Sequence, residues 1–473
     1  MEIQDFVLEQ TKASKNDDAN VSVLQRSSES LLSSLKQKYI AHGEQLLGLG
    51  YGGSESLTIF IRNENDETIV RKILNEQYIT AKWPRDGSGP MLSPVQKAIR
   101  QANYLNNLPE SARHLFPRVL SKVLPSRLEE ITSNGEYKYD MTYIKGIEVS
   151  KFIREYQPSP KVVAMLYAEI FRSVKQNIHA FRRTPAPPAT IESAYFKKIE
   201  KRLDLCKKTS PMLFGDSLIK SDFVILNGKK LLNWHRVIET IKNNKDYSSL
   251  LEPKYHNLVI GDTNTENIKI ENIQPLLNVN EALPFSFRQF TAEEIGLKFL
   301  DPRAIGYHIG DRDTGVDDYM YDNKPWHNSI GNYDDIHGEH FDINYDAENL
   351  IPAIEIEFHA NSPYRYPYSG IENYFGHVMN SVYEYHDKTS KSYIEDPNWL
   401  VRFVFVMGTH FMAMPPFHFV RNDDGTYGDN AQCQKRALAI YAEGLRWLNC
   451  ALDLLEGKRK SFLGILNYQE DKF

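Results

Sequence analysis

One stretch, residues 257–270, constrains this chain more than any other. It begins with an apolar run, turns at Gly261 and ends in an alternating segment of the kind that forms a β-strand. Inside the turn, Asp262 and Asn267 stand five residues apart. With that spacing, one side chain is expected to accept a proton from a hydroxyl while the other binds a divalent metal. The stretch therefore predicts a strand–loop–strand unit with a reactive carboxylate in its loop.

A second apolar strand, predicted over residues 297–300, ends in Asp301, whose carboxylate suits Mg²⁺. Taken singly, Gly-Asp and Asp-Pro pairs are common turn formers. Their combination with the asparagine favours a metal site. We therefore expect Asn267 and Asp301 to bind the metal and Asp262 to act as the base or hydroxyl-orienting group.

A glycine-rich turn lies upstream between two predicted strands and contains Gly50, Gly52, Gly53 and Ser54. Glycines allow backbone N–H groups to approach phosphate oxygens without a Cβ clash. A tight hairpin turn explains the same pattern equally well. The turn is not a Walker loop, because no Gly-Lys-Ser/Thr follows it.

The strand after that turn carries Lys72. Strand alternation places Lys72 on the same face as the apolar Val70 and Leu74, which favours a lysine that reaches the nucleotide phosphates over a solvated one. An acid is expected to orient it, but Gln101 stands in that place on the following predicted helix. Either the glutamine is a neutral partner or another acid, such as Glu76, substitutes.

The predicted elements indicate an α+β chain with two domains, residues 1–145 and 146–473. Strands are predicted over residues 44–49, 57–62, 68–74 and 137–144, and helices over 21–39 and 95–108. Further helices are predicted over residues 161–182, 193–205, 371–385, 399–412 and 431–455. A small antiparallel sheet with a helix would thus precede a large, mostly helical part, in which residues 311–346 form loops with short helices.

Composition limits the classes of function. With 41% hydrophobic and 25% charged residues the chain is typical of a globular protein, and its net charge of −6 argues against a general nucleic-acid partner. Three scattered cysteines predict neither a disulfide framework nor a zinc motif. The apolar stretch 400–417 contains Arg402 and His410, which favours a buried helix over a membrane span. We therefore expect a cytoplasmic protein with no membrane partner, and the oligomeric state stays open.

These motifs together resemble the aminoglycoside phosphotransferase branch of the protein-kinase-like superfamily. The resemblance rests on residues 50–54, Lys72, the 261–268 run and residues 300–302. It implies a two-lobed fold, Mg²⁺, a hydroxyl acceptor in the lower lobe, and ATP in the cleft near residues 141–146, where Tyr143 and Ile144 would contact the nucleotide. It also implies that Asp322 buttresses the catalytic loop.

The chain departs from that family in three places. Ile260 replaces the usual histidine, so one hydrogen bond that supports the loop should be lost. Gln101 replaces the usual glutamate. The segment 271–294 is longer than expected and is a candidate for an inserted flap near the cleft.

The expected function is transfer of the γ-phosphoryl group of ATP to a small polar metabolite, most simply a sugar, amino sugar or aminoglycoside. The acids of residues 311–346 would suit a polar or cationic acceptor such as an amino sugar, although a solvated acidic loop is an equal explanation. One alternative is a catalytically silent, nucleotide-binding scaffold. Another is a kinase that acts on a protein side chain, which the lack of Asp-Phe-Gly and Ala-Pro-Glu motifs disfavours. His337 and His340 match no zinc spacing.

Overall fold

The computed structural model describes residues 36–50, 57–75, 94–120, 135–303, 315–347, 350–383, 396–420, 422 and 426–467. Within them the fold is α+β, and the strand pairs are antiparallel apart from one parallel pair in the larger unit. The chain divides into two compact units. The smaller unit comprises Met1–Leu108 and Phe116–Ile144, and the larger unit comprises Pro109–Leu115 and Lys145–Phe473.

The smaller unit contains a four-stranded antiparallel sheet in the order β1-β2-β3-β4. Its strands are β1 (Gln45–Gly50), β2 (Leu57–Arg62), β3 (Thr68–Asn75) and β4 (Glu136–Thr142), and helix α1 spans Pro94–Asn106. Alternation along β3 gives the sheet two apolar faces. Ile69 and Ile73 pack in one core cluster, while Leu74 packs with Ala98 and Ala102 of α1 in another. The predicted strands and helix of this region are confirmed.

Part of the predicted nucleotide-binding region lies outside the described residues. Gly50 ends β1, but the rest of the glycine-rich turn, with Gly52, Gly53 and Ser54, is not described. The predicted helix over residues 21–39 is described only at residues 36–39, which are helical.

Helices outnumber strands among the described residues of the larger unit. They are α2 (Glu110–Arg113), α3 (Val149–Tyr156), α4 (Pro160–Val174), α5 (Lys197–Thr209), α6 (Asp216–Ile219), α7 (Trp234–Asn243), α8 (Lys245–Leu251), α9 (Gln274–Leu277), α10 (Pro325–Asn328), α11 (Tyr333–His337), α12 (Arg365–Tyr368), α13 (Glu372–Tyr383), α14 (Trp399–Met412) and α15 (Lys435–Leu455). Short π-helical stretches span Lys175–His179 and Ile191–Phe196. Short 3-10 helices span Thr265–Asn267, Tyr319–Asp322 and Pro415–His418. The long helices predicted here are confirmed.

The centre of the larger unit is the pair α14 and α15. Every residue of α14 is buried. A Cβ on Gly408 would lie 2.8 Å from the backbone nitrogen of Leu448, so the two helix backbones approach closely at a position that only glycine permits. None of the described helices is both long and apolar enough to cross a membrane.

The strands of the larger unit are β5 (Ile147–Glu148), β6 (Thr184–Pro185), β7 (Phe223–Leu226), β8 (Lys229–Leu232), β9 (Tyr255–Leu258), β10 (Ile268–Ile270), β11 (Leu297–Phe299), β12 (Val316–Asp317), β13 (Phe341–Asp346), β14 (Ala353–Phe358), β15 (Ser461–Phe462) and β16 (Ile465–Leu466). The four-stranded sheet β13-β14-β7-β8 differs from the expected, mostly helical C-terminal part. Its β7–β8 hairpin turns at Asn227 and Gly228, both with positive φ, which is the pattern of a two-residue primed turn.

Three antiparallel pairings hold the 257–270 stretch. β9 pairs with β12, and β10 lies between β5 and β11. Gly146, just before β5, has a φ of 102°, and a Cβ there would lie 2.2 Å from the carbonyl oxygen of Ile270. Only glycine therefore allows the chain to enter this sheet beside β10.

The segment 271–294 is fixed to the helices of the larger unit. Arg288 donates two hydrogen bonds to the buried carboxylate of Glu169 on α4, at 2.8 and 2.7 Å. Lys161 Nζ at the start of α4 donates to the carbonyl of Glu281 at 2.7 Å. These contacts fix the segment 271–294 to α4, whereas the sequence predicted an inserted flap near the cleft.

Candidate functional site

A buried aspartate clamps the loop that follows β9. The carboxylate of Asp322 accepts hydrogen bonds from the backbone N–H of Ile260 at 3.0 Å and of Gly261 at 2.7 Å. Thr263 Oγ1 donates to the carbonyl of the same aspartate at 2.9 Å. Gly261 has a φ of 82°, which an L side chain rarely adopts. The expected buttressing contact of Asp322 is thus present in the structure.

A histidine from another element contacts the carboxylate that supports the backbone of Ile260. The Ile260 side chain is fully buried, and position 260 contributes backbone hydrogen bonds alone. His179 Nε2, at the end of the Lys175–His179 π-helical stretch, lies 2.8 Å from Asp322 Oδ2 and donates to it. The imidazole that contacts Asp322 therefore comes from the π-helical stretch after α4, and not from position 260. Such π-helical turns occur frequently at functional sites.

Asp262 is buried, and protein donors surround its carboxylate. Lys324 Nζ donates to Oδ1 at 2.7 Å, and Asn264 Nδ2 donates to the same oxygen at 2.9 Å. Arg303 Nε lies 2.7 Å from Oδ2 as an ion pair. Burial is the largest single influence and would raise the pKa of Asp262, but Arg303 and Lys324 together outweigh it. The pKa of Asp262 is therefore lowered, and the group is ionised at neutral pH.

Asn267 and Asp301 are brought together by the β10–β11 pairing. Ile268 is opposite Phe299, and the backbone N–H of Leu300 donates to the carbonyl of Asn267 at 2.7 Å. Asp301 follows directly. Its carboxylate is close enough to Asp262 to oppose the lowering of the Asp262 pKa. Asp262, Asn267 and Asp301, predicted from separate motifs, therefore lie in one region of the larger unit.

The oxygen atoms of this region fit a hard divalent cation. Asn267 Nδ2 donates to the carbonyl of Asp262 at 3.1 Å, which fixes the amide and leaves Oδ1 as an oxygen ligand. Asp301 adds a carboxylate and has a φ of 48°, in the left-handed region that non-glycine residues seldom occupy. Backbone strain of this kind clusters at ligand sites. Oxygen ligands are those that Mg²⁺ prefers.

A second support holds the far end of the loop. Asn328 on α10 accepts a hydrogen bond from the backbone N–H of Thr265 at 3.3 Å and donates to Asp334 at 2.5 Å. Asp334 also accepts from Tyr368. Burial is the largest influence and raises the pKa of Asp334 to about 7, against these two hydrogen bonds.

In the smaller unit, Lys72 has a hydrogen-bond partner on α1. Lys72 is buried, and its Nζ donates to Gln101 Oε1 at 2.9 Å, while Tyr139 OH donates to the same oxygen at 2.5 Å. Gln101 is therefore a neutral partner, and Glu76 lies outside the described residues. Of the predicted nucleotide contacts that follow β4, Tyr143 is exposed and packs edge-on against Phe60, and Ile144 is half-buried.

Both explanations of the acidic segment are wrong for most of its described acids. Asp318 is buried and pairs with Arg402 and Tyr195. Asp334 is buried as described above, and Asp335 accepts from Ser362. These three carboxylates are thus engaged by protein donors, which neither a solvated loop nor a receptor for a cation predicts.

The histidines next to these acids have other partners. His337 pairs with Glu266, and Glu339 pairs with Lys435 and Arg436. Across the described residues, no group of three or more His, Cys, Asp or Glu side chains is arranged to hold a metal ion.

Sequence reasoning missed Arg303 and Lys324, the two cations of the site. Arg303 stands two positions after the predicted metal ligand, and Lys324 two positions after the predicted buttress. Neither spacing belongs to a general motif. Their roles follow from the tertiary fold, which brings the two segments to Asp262.

The chain was compared with protein families and with curated proteins. No protein-family model matches the chain, and no curated protein matches it significantly.

Proposed function

We propose that the protein is a Mg²⁺- and ATP-dependent phosphotransferase that acts on a hydroxyl of a small molecule, with a two-lobed, protein-kinase-like architecture. One observation carries the proposal. An ionised, buried Asp262 lies in a loop whose backbone is clamped by Asp322, with Asn267 and Asp301 grouped next to it. The resemblance noted in the sequence implies this same set of groups for phosphoryl transfer.

Asp262 would align the attacking hydroxyl and take its proton. In phosphoryl transfer the protein mainly positions reactants and neutralises charge, so a strongly basic carboxylate is not required. The low pKa of Asp262 is consistent with an orienting role. Lys324, held on Asp262 Oδ1, would keep the carboxylate in one rotamer and offset negative charge as the phosphoryl group transfers.

Asn267 Oδ1 and the Asp301 carboxylate would hold the metal. When bound, Mg²⁺ would neutralise charge on the nucleotide phosphates. The left-handed backbone at Asp301 would keep its carboxylate directed at the ion without a search through other conformations.

Lys72 would neutralise the phosphates from the smaller unit, together with the glycine-rich turn at Gly50, Gly52, Gly53 and Ser54. Gln101 can orient the ammonium of Lys72 by a hydrogen bond. Tyr143 and Ile144 stay proposed contacts of the nucleotide.

One observation favours a second candidate, a catalytically silent scaffold. Both oxygens of Asp262 already contact protein cations, so a hydroxyl must compete for a place on the carboxylate. A kinase acting on protein side chains is the third possibility.

The three are separated by measuring Mg²⁺-dependent ADP release with a panel of small alcohols, sugars and amino sugars. Acceptor-dependent release supports the phosphotransferase. ATP binding without release for any acceptor supports the scaffold. Phosphate that appears on protein and never on a small molecule supports the third.

A further inference from the structure

The charge of the groups at Asp262 bears on the acceptor. The buried acids Asp318 and Asp334 are engaged by protein donors and give no reason to expect a cationic acceptor. The groups that contact Asp262 directly are instead cations, Arg303 and Lys324. The chemistry beside the reacting carboxylate therefore favours negative charge on the molecule that binds there.

The two oxygens of Asp262 are not equivalent. Oδ1 accepts hydrogen bonds from Lys324 and Asn264, which use both of the acceptor positions that a carboxylate oxygen offers. Oδ2 is in an ion pair with Arg303 Nε at 2.7 Å. A hydroxyl that donates to this carboxylate must therefore approach Oδ2, on the side of Arg303.

Arg303 is placed to contact the rest of such an acceptor. The Arg303 side chain is 49% exposed, whereas the Asp262 side chain is 4% exposed, so the arginine side chain is open to solvent beside the buried carboxylate. A guanidinium has five N–H donors in a planar fork that matches a carboxylate or a phosphate. The Nε contact to Asp262 fixes the direction of that fork.

We propose that the acceptor carries an anionic group, a carboxylate or a phosphate, close to the hydroxyl that is phosphorylated, and that Arg303 binds this group and so determines specificity. The inference rests on the proposed function. In the step, the hydroxyl gives its proton to Asp262 Oδ2, and its oxygen forms a bond to the γ-phosphorus. The bond from the γ-phosphorus to the β–γ bridging oxygen breaks, and ADP leaves with that electron pair.

The test uses two matched sets of acceptors. The three-carbon set is glycerol, glycerate, glycerol phosphate and 2-amino-1,3-propanediol, and the six-carbon set is glucose, glucuronate, glucose 6-phosphate and glucosamine. ADP release and calorimetric binding are measured for the full-length wild type and for Arg303→Gln and Arg303→Lys. Arg236→Gln is the control, because Arg236 is 43% exposed and pairs with Asp222, just before β7, and with Glu239 on α7, none of which belongs to the site.

The anionic members should be preferred in kcat/KM. Arg303→Gln should raise their KM by about tenfold to hundredfold, since a hydrogen bond between charged groups contributes about 1.5–3 kcal/mol. The KM for ATP should not change, Arg303→Lys should restore part of the preference, and Arg236→Gln should match the wild type.

Other outcomes are decisive as well. A preference for the neutral or cationic members, or an anionic preference that Arg303→Gln leaves intact, overturns the inference and leaves the phosphotransferase standing. An effect of Arg303→Gln confined to the KM for ATP assigns the arginine to the nucleotide and also overturns it. ATP binding with no ADP release and no binding of any acceptor overturns the proposed function, and this inference with it.

Discussion

The surroundings of Asp262 set what this carboxylate can do. It is 3% exposed, and burial favours its protonated form, yet two cations at 2.7 Å keep it ionised. An ion pair that is buried on one side is stabilising only with good geometry and satisfied hydrogen bonds. Both conditions are met here by Lys324 and Asn264. Under the proposed function, a hydroxyl that binds this carboxylate would compete with Arg303 for Oδ2.

The division of roles between Asp301 and Asp262 gives a first prediction. Asp301→Asn keeps the tolerance of aspartate and asparagine for left-handed backbone but removes the charge, so Mg²⁺-dependent ATP affinity should fall at least about tenfold, because a metal contributes several kcal/mol of charge stabilisation. Asp262→Asn should leave that affinity almost unchanged. Calorimetric titration of both variants with ATP and Mg²⁺ checks this, and equal losses would contradict the assignment.

At the scale of elements, β3 and α1 meet through Lys72 and Gln101. The lysine lies on the face of β3 that packs against α1, where Leu74 and Ala98 are buried. Loss of the hydrogen-bond acceptor of a buried ammonium lowers the free energy of unfolding. Substitution of Gln101 therefore tests how much this contact between β3 and α1 contributes to stability.

Gln101→Leu should therefore lower the free energy of unfolding by about 1–3 kcal/mol, the cost of leaving a buried donor without this partner. Gln101→Glu keeps acceptor oxygens for both Lys72 and Tyr139 and should cost less. Urea denaturation of the two variants beside the wild type provides the comparison. If the leucine variant is as stable as the glutamate variant, the hydrogen bond has no structural weight.

The loop clamp is the second contact between elements, and it predicts a coupled loss. Asp322→Asn leaves one acceptor oxygen for the N–H groups of Ile260 and Gly261 and for His179, so unfolding should become easier by about 1–3 kcal/mol. Turnover should fall as well, with little change in the KM for ATP. The matched control is Asp342→Asn, since Asp342 is 85% exposed on β13. A loss of activity in the control variant, or none in Asp322→Asn, would contradict the clamp.

The sequence predicted the elements and residues that depend on local pattern. Alternation located β2, β3 and β10, the apolar runs located β11 and α14, and the pattern of Asp262, Asn267 and Asp301 predicted the candidate site. The sheet that contains β7 and β8 was missed, although Asn227-Gly228 between apolar runs is a hairpin signal. Arg303, Lys324 and His179 were missed for a different reason. Their contacts join segments distant in sequence, and no periodicity encodes such contacts.

At the scale of the molecule, the larger unit buries many polar groups within its helical core. Arg402 on α14 is 1% exposed and pairs with Asp318 and Asp396. Asp334 is also buried, and it connects the core to the end of the loop that contains Asp262 through Asn328. Asp318 and Asp334 of the segment after β12 therefore contact groups of the interior.

The raised pKa of Asp334 gives a prediction about stability and pH. Its pKa is about 7 in the fold against an ordinary value of 3.8, so between about pH 4 and 7 the native state binds more protons here than the unfolded state does. Stability contributed by this group is therefore full below pH 4 and is lost as pH rises through 7. The loss is at most about 4 kcal/mol, at 1.36 kcal/mol per pKa unit.

Asp334→Asn should remove this slope, whereas Tyr368→Phe, which deletes a hydrogen bond that lowers the pKa of Asp334, should extend the slope to higher pH. Urea denaturation at several pH values between 4 and 8 measures the difference between each variant and the wild type. Parallel curves for the wild type and Asp334→Asn would show that Asp334 does not titrate in this range.

The central claim is that Asp262 directs a hydroxyl at the γ-phosphoryl group of ATP. The most direct test follows γ-labelled phosphate from ATP to the best acceptor of the matched sets, with Mg²⁺, in the wild type and in Asp262→Asn. We expect labelled acceptor with the wild type. With Asp262→Asn, the rate of transfer should be about 10²–10⁴-fold lower, which is the usual contribution of a general base. Transfer by Asp262→Asn at the wild-type rate, or label that never leaves ATP in the wild type, would contradict it.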